Sequence, residues 1–151
     1  MIDAIIEQTN DAIPIDLLLL SDPSEEVIAE YINSSIKFIA KYEDRIVGVL
    51  LLLKTRPRTM EIMNISVYEE YQNNGIGRQL LNKAIEYAKE NRIKMLEIGT
   101  GNPGLIQMML YQKCGFRIVG VELDYFRKNH SEKIFENGIE CRDMIRMRME
   151  F

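Results

Sequence analysis

The chain has 151 residues, 46% of them hydrophobic and 28% charged, which suits one domain with a proper core and leaves too little chain for two. A formal net charge of -4 and a pI near 5.2 argue against a nucleic-acid binder, which carries a basic excess on one face. The longest apolar run, IVGVLLLL at Ile46 to Leu53, is far shorter than the roughly 20 residues of a membrane span. No apolar leader opens the chain, and the expected setting is the cytoplasm, with no membrane or nucleic-acid partner.

The opening IDAIIEQT alternates weakly, as a strand does. IDLLLLSD suffices for one or two helical turns and stops before Pro23. In SDPSEEVIAEYINSS a better helix begins: Glu25 and Glu26 fall in its first turn, and Val27, Ile28, Tyr31 and Ile32 share one face. SIKFIAKY and IVGVLLLLKTR, joined by the turn EDR, read as antiparallel strands, and TMEIMNISV follows Pro57 as a third. After a loop comes a long helix on which Leu80, Leu81, Ala84, Ile85 and Ala88 recur at helical spacing. Strand, helix and strand follow in MLEIG, LIQMMLYQKCG and FRIVGVELDYF. A polar connection, RKNHSEKIFENGIE, leads to a last alternating strand, MIRMRMEF. This order implies a single domain over residues 1–151 of the α+β class. Its sheet is mixed and mostly antiparallel, has seven strands with helices on both faces, and holds one parallel crossover, from the fourth strand to the fifth.

Cys114, Cys141 and the lone His130 have no metal-ligand spacing, so no metal site is expected and both thiols read as free. His130, within RKNHSEK, reads as a solvated loop residue.

Two glycine-rich stretches could hold phosphate. In EIGTGNPG, Gly99, Gly101 and Gly104 fit G-x-G-x-x-G, and Glu122 follows where a ribose partner would stand. Only about a third of the chain follows Gly99, however, too little to build the parallel sheet of a dinucleotide or adenosylmethionine site. The second stretch, YQNNGIGRQLL, sets Gly75 and Gly77 at the start of the best helix, where backbone N–H groups lack partners and the helix dipole favours an anion. Arg78 can add a charge-assisted contact. From chemistry alone this is either a pyrophosphate cradle or a helix start that needs a tight turn. It lacks the Lys-Ser or Lys-Thr of a P-loop, and Leu80 stands where a dinucleotide fingerprint has its third small residue.

With Gln72, Asn73, Asn74, Gly75, Ile76 and Gly77, the sequence resembles the GCN5-related N-acetyltransferase superfamily, whose signature Q/R-x-x-G-x-G/A lies at a strand-to-helix junction. A second family element, a Tyr shortly before Gly-Phe in the helix after the fifth strand, is matched by Tyr111, Gly115 and Phe116. The order of elements fits the family over essentially the whole chain. The resemblance implies the acyl-CoA N-acyltransferase fold, with strands four and five splayed around acetyl-CoA and EIGTGNPG forming the fifth strand and its exit. It implies that backbone groups of Ile65, Ser66 and Val67 pair with the pantetheine arm, and that Gln72 to Arg78 hold the pyrophosphate. Many members use an Asn seven residues before the Tyr on the pantetheine. Here Gly104 has that spacing, and Asn102, nine residues before Tyr111, is the corresponding candidate.

For chemistry the resemblance assigns Tyr111 as proton donor to the leaving thiolate and Glu61 as general base, with a water relay as the alternative. A backbone N–H near Val67 would serve the oxyanion. The acceptor is expected to be a small-molecule amine, the alternatives being a protein N-terminus or lysine and, from another class, a CoA-binding module without turnover. Its walls would come from residues 14–33 and 127–141. The chain is expected as a monomer or a homodimer, with the alternating last strand as a candidate for pairing between copies.

Overall fold

The apolar run at Ile46 to Leu53 lies in strand β3 (Arg45–Arg56) of the computed structural model, which describes residues 1–151. Alternate residues of this strand serve two cores: Leu50 and Leu52 belong to the larger, Val49 and Leu51 to the smaller, and all four are fully buried. A strand covered on both faces needs apolar side chains at every position, which is why the run does not alternate.

In chain order the elements are β1 (Ile5–Thr9), α1 (Ile15–Leu18), α2 (Glu25–Tyr31), β2 (Ile36–Tyr42), β3, β4 (Thr59–Val67), α3 (Ile76–Glu90), β5 (Met95–Gly101) and α4 (Leu105–Cys114). They continue with β6 (Arg117–Glu122), α5 (Tyr125–Asn129), β7 (Ile134–Glu136), β8 (Ile139–Cys141) and β9 (Met144–Glu150). Seven strands form one sheet in the order β1-β2-β3-β4-β5-β9-β6. Every neighbouring pair is antiparallel except β4 and β5, which are parallel and joined through α3.

On one face α3 buries Ile76, Leu80, Leu81, Ala84 and Ala88, and α4 adds Tyr111 to the same core. On the other face α1 and α2 bury Leu17, Leu18, Ile28 and Tyr31 in the smaller core. The start of α2 is fixed by its own sequence: Ser24 Oγ accepts the Val27 N–H at 3.2 Å, and Asp22 Oδ1 accepts the Ser24 N–H at 3.2 Å.

Three local expectations are corrected. The alternating last strand, β9, lies between β5 and β6, so it has no free edge with which to pair another copy; β1 and β6 are the edges. The strand read through FRIVGVELDYF stops at Glu122, because Asp124 turns the chain at φ 60° and Tyr125 opens α5. The polar connection is not structureless, since β7 and β8 form a ribbon around Asn137 and Gly138, both at positive φ. Asn-Gly between short apolar runs is the sequence signal for such a turn, and it was present in FENGIE. No helix is long and apolar enough to cross a membrane.

Leu81 is completely buried between α3 and the sheet. Leu81→Ala should lower unfolding free energy by about 2–5 kcal/mol, read as a lower urea midpoint at unchanged slope.

Candidate active site

β4 and β5 pair only from Thr59–Met95 to Ile62–Ile98, although the strands run on to Val67 and Gly101. They part where β4 bulges: Leu52 faces Ile62 and Leu51 faces Asn64, leaving Met63 as an extra residue. Beyond the bulge, the β3 register decides which backbone groups look into the gap. Tyr68 N–H bonds Val47 O at 3.0 Å. By alternation in the same register, Ser66 turns its backbone to β3, while Ile65 and Val67 turn theirs into the gap.

Both gap-facing carbonyls are met by side chains. Ser21 Oγ donates to Ile65 O, and Gln72 Nε2 donates to Val67 O at 2.8 Å. Ser66 departs from the expectation of a strand contact: its backbone faces β3, and its buried hydroxyl lies 2.8 Å from Asn64 Oδ1 and 2.6 Å from Ser21 Oγ.

The loop after β4 leads into α3 with Asn73 at φ 62° and Gly75 at φ 83°. The second value lies in the left-handed region, where a side chain is strained, so glycine suits this position. Asn74 Nδ2 braces the turn by donating to Gln72 O at 2.9 Å and Tyr71 O at 3.3 Å. The first helical bond is Gln79 N–H to Gly75 O, 3.1 Å, so the N–H groups of Ile76, Gly77 and Arg78 have no helical acceptor. With the helix dipole behind them and the exposed Arg78 side chain beside them, they fit a pyrophosphate. Gln79, absent from the expected set, clamps the N-terminal segment here through Ile2 O at 2.7 Å and the Ala4 N–H at 3.0 Å.

Tyr111 is positioned by the way α4 ends. Gly115, at φ 108°, closes the helix: its N–H bonds Gln112 O and the Phe116 N–H bonds Tyr111 O, both at 3.0 Å. This is a Schellman motif, and its usual apolar contact is made by the Phe116 ring, edge-on to Tyr111 at 6.2 Å. The spacing of Tyr, Gly and Phe is thus the spacing of a helix terminus. Tyr111 is 4% exposed, and burial alone pushes its hydroxyl well above the ordinary tyrosine range, so it keeps its proton.

Glu61 lies on the opposite face of the sheet. Arg146 Nη1 pairs with it at 3.2 Å and reaches Glu122 at 2.8 Å, stacking over the Tyr125 ring at 5.2 Å. Burial raises the Glu61 carboxyl above its ordinary range, against the opposing pull of Arg146. Next to it, Glu97 is held by Arg56 and Arg148, each at 3.0 Å. The neutral phenol and the shielded carboxylate thus lie on opposite faces of the sheet, Glu61 on the stretch of β4 still paired with β5, opposite Glu97.

Asn102 is engaged with the β8–β9 connection. Its Oδ1 accepts the N–H groups of Arg142 and Asp143 at 2.8 and 3.0 Å, and its Nδ2 donates to Glu140 O at 3.1 Å. The asparagine pins the β8–β9 connection, which uses its Oδ1 twice and one of the two Nδ2 hydrogens. Gly99 and Gly101 have a packing reason of their own: a Cβ there would collide with Met144 Sδ and Cys141 Sγ respectively. Cys141 is buried, which pushes its thiol up to about 11. No group of three or more His, Cys, Asp or Glu side chains could hold a metal.

The residues that sequence reading missed line the Glu61 face. His130, expected in solvent, has only 8% of its side chain exposed, and its Nε2 lies 3.2 Å from Asp22 Oδ1. Asp22 Oδ2 accepts the Tyr31 hydroxyl at 3.0 Å, and that hydroxyl accepts from Asn64 Nδ2 at 3.3 Å. A chain of polar groups thus joins the α1–α2 wall, β4 and the end of α5. His130 Nδ1 is buried without a partner.

The Acetyltransferase (GNAT) family model matches residues 8–116. The chain belongs to this family and is an N-acetyltransferase. It is 49% identical over 144 residues to an uncharacterized N-acetyltransferase, YvbK, of Bacillus subtilis, covering 95% of this chain and 92% of that one. Two solved structures share the fold closely. An IAA acetyltransferase from Bacillus cereus is 52% identical with TM-score 0.95, covering 99% of this chain and all of that one. A GNAT acetyltransferase from Elizabethkingia anophelis, solved with acetyl-CoA bound, is 47% identical with TM-score 0.94 and 98% coverage of both chains.

Because Asn102 serves the β8–β9 connection, Asn102→Ala should cost about 1–3 kcal/mol of stability and leave CoA affinity unchanged. Calorimetric unfolding and CoA titration separate the two effects; weaker CoA binding at unchanged stability would restore Asn102 to the cofactor site.

Proposed function

We propose that the chain transfers the acetyl group of acetyl-CoA directly to the amine of a small molecule. The observation that carries this reading is the parting of β4 from β5 after Ile62, followed along the chain by the unpaired N–H groups at the start of α3. Acetyl-CoA supplies a thioester carbonyl activated for attack.

The N–H groups of Ile76, Gly77 and Arg78 hold the pyrophosphate, and the carbonyls of Ile65 and Val67 receive amide N–H groups of the pantetheine arm. A count of hydrogens supports the second role. Asn64 Nδ2 is spent on Leu18 O at 3.0 Å and on Tyr31, so Asn64 Oδ1 faces Ser66. Ser66 and Ser21 then have two hydroxyl hydrogens for three contacts: Asn64 Oδ1, each other and Ile65 O. An N–H brought to Ile65 O supplies the third and frees Ser21 to donate to Ser66.

The Val67 N–H, also turned into the gap, is the oxyanion donor. Tyr111, neutral at every physiological pH, donates to the leaving sulfur. Glu61 accepts the amine proton, directly or through water. The tie between Asp22 and His130 favours a compact acceptor over an extended polypeptide, and Asp22, Glu61 and Glu122 favour a cationic one.

Acetyl-CoA at about 100 times its Kd should stabilise the protein by about 2.7 kcal/mol, which raises Tm by roughly 5–10 °C for a chain of this size. Gly77→Glu should abolish that rise while staying folded, because a Cβ there would meet Leu110 Cδ2 at an ordinary 3.5 Å and the added carboxylate would repel the pyrophosphate. No rise in the unmodified protein would sink the cofactor assignment.

With an amine found by screening small amines against peptide N-termini and lysines, Tyr111→Phe should lower kcat by about 10²–10⁴-fold at unchanged acetyl-CoA affinity. Since Glu61 acts when deprotonated and burial raises its pKa, the rate should climb with pH above the usual carboxylate range. Glu61→Gln should remove that limb.

A further inference from the structure

β6 is a free edge of the sheet, and its apolar residues are not covered: Ile118, Val119 and Val121 are about half exposed and Leu123 is 66% exposed. Ile118 and Val121 stand opposite Met147 and Ile145 of β9, which belong to the core under α4. On that side α4 turns Leu105, Ile106 and Met109 outward, all more than half exposed. A bare apolar edge strand is a template for another strand.

We infer that this edge docks a second copy of the chain, with β6 antiparallel to β6 of the partner about a two-fold axis between Val119 and Gly120. In that register Arg117 stands opposite the partner's Glu122, Ile118 opposite the partner's Val121, and Val119 opposite the partner's Gly120. Opposed residues in an antiparallel pair must share a face of the sheet. In a regular strand Arg117 and Glu122, five apart, would point to opposite faces. Here Ile118 pairs with Met147 and Gly120 with Arg146, so Val119 is an extra residue and the alternation changes phase. Arg117 and Glu122 therefore share the charged face, and Ile118 and Val121 share the α4 face. A slip of one residue would set Ile118 against Glu122 or Gly120, which lie on the other face.

Two details of the single chain fit this pairing. Arg117 has no ion pair of its own. Gly120 has no neighbour within 4 Å of a built Cβ and no positive φ, so nothing within the chain requires glycine; a facing Val119 does use the space. A strand pair alone is small against the roughly 800 Å² per partner of a stable interface. The exposed apolar side chains of β6 supply the contact area, so the pair should form in the micromolar range.

The test is sedimentation of the full chain across micromolar concentrations. The unmodified protein should run at twice 17.6 kDa. Arg117→Glu and Glu122→Lys should each run as monomers, because each sets like charges against one another at both ends of the joint. An equimolar mixture of the two variants should recover the dimer mass, since unlike charges then meet at both ends. Thermal melts check that both variants fold; Arg117→Glu breaks no pair within the chain and is the cleaner, whereas Glu122→Lys also releases Arg146. A monomer at every concentration, a dimer indifferent to both reversals, or a mixture that stays monomeric would each overturn the inference.

Discussion

Backbone N–H and C=O groups inside a sheet must be met by something, and the early parting of β4 from β5 leaves two residues of β4 without a strand to meet them. Much of the local sequence answers that one constraint. Ser21 is carried in from the turn after α1 and Gln72 folds back from the loop after β4, each to satisfy one carbonyl. Side chains make a provisional seal, and a ligand with amide groups can replace it without disturbing the rest of the sheet. A continuous β4–β5 ladder would have no such opening.

The same parting explains why one small site can handle two unlike partners. A slot through a sheet has two mouths, and the two cores give them different character. On the α3–α4 side an apolar setting keeps a phenol neutral. On the other side, ion pairs among Glu61, Glu97, Glu122, Arg146 and Arg148 make a charged surface where a carboxylate can be shielded and still exchange protons. In the proposed mechanism the sheet keeps the two groups apart, since neither setting would suit the other.

What could be read from the sequence followed how local the cause was. The start of α3 was legible because its glycines and the stripe of Leu80, Leu81, Ala84 and Ala88 lie within one helix. Tyr111 was legible because Gly115 and Phe116, which close its helix, follow within five residues. By contrast, Asp22 and His130 are 108 positions apart and meet only because two walls of the fold converge. Nothing near either residue announces the other, and so His130 read as solvated. The partners of Asn102 were hidden for the same reason: its position near Tyr111 pointed to the cofactor, while the groups it bonds lie about 40 positions away, at 140–143. The identity of β6 as the edge, rather than β9, depends on sheet order, which periodicity does not encode.

The bulge at Met63 also sets a restraint on chain length. Before it, Met60 and Ile62 face the larger core; after it, Ile65 and Val67 do, while Asn64 and Ser66 face the α1–α2 side. Loss of Met63 would leave a regular strand with each of these side chains on its present face, because alternation from Ile62 then puts Asn64 and Ser66 on the α1–α2 side and Ile65 and Val67 on the other; what it would remove is the kink at which β4 leaves β5. A substitution here alters one side chain, whereas this deletion would alter the course of the strand. The extra residue is therefore tied to the opening it makes in the sheet, and the faces of its neighbours do not depend on it.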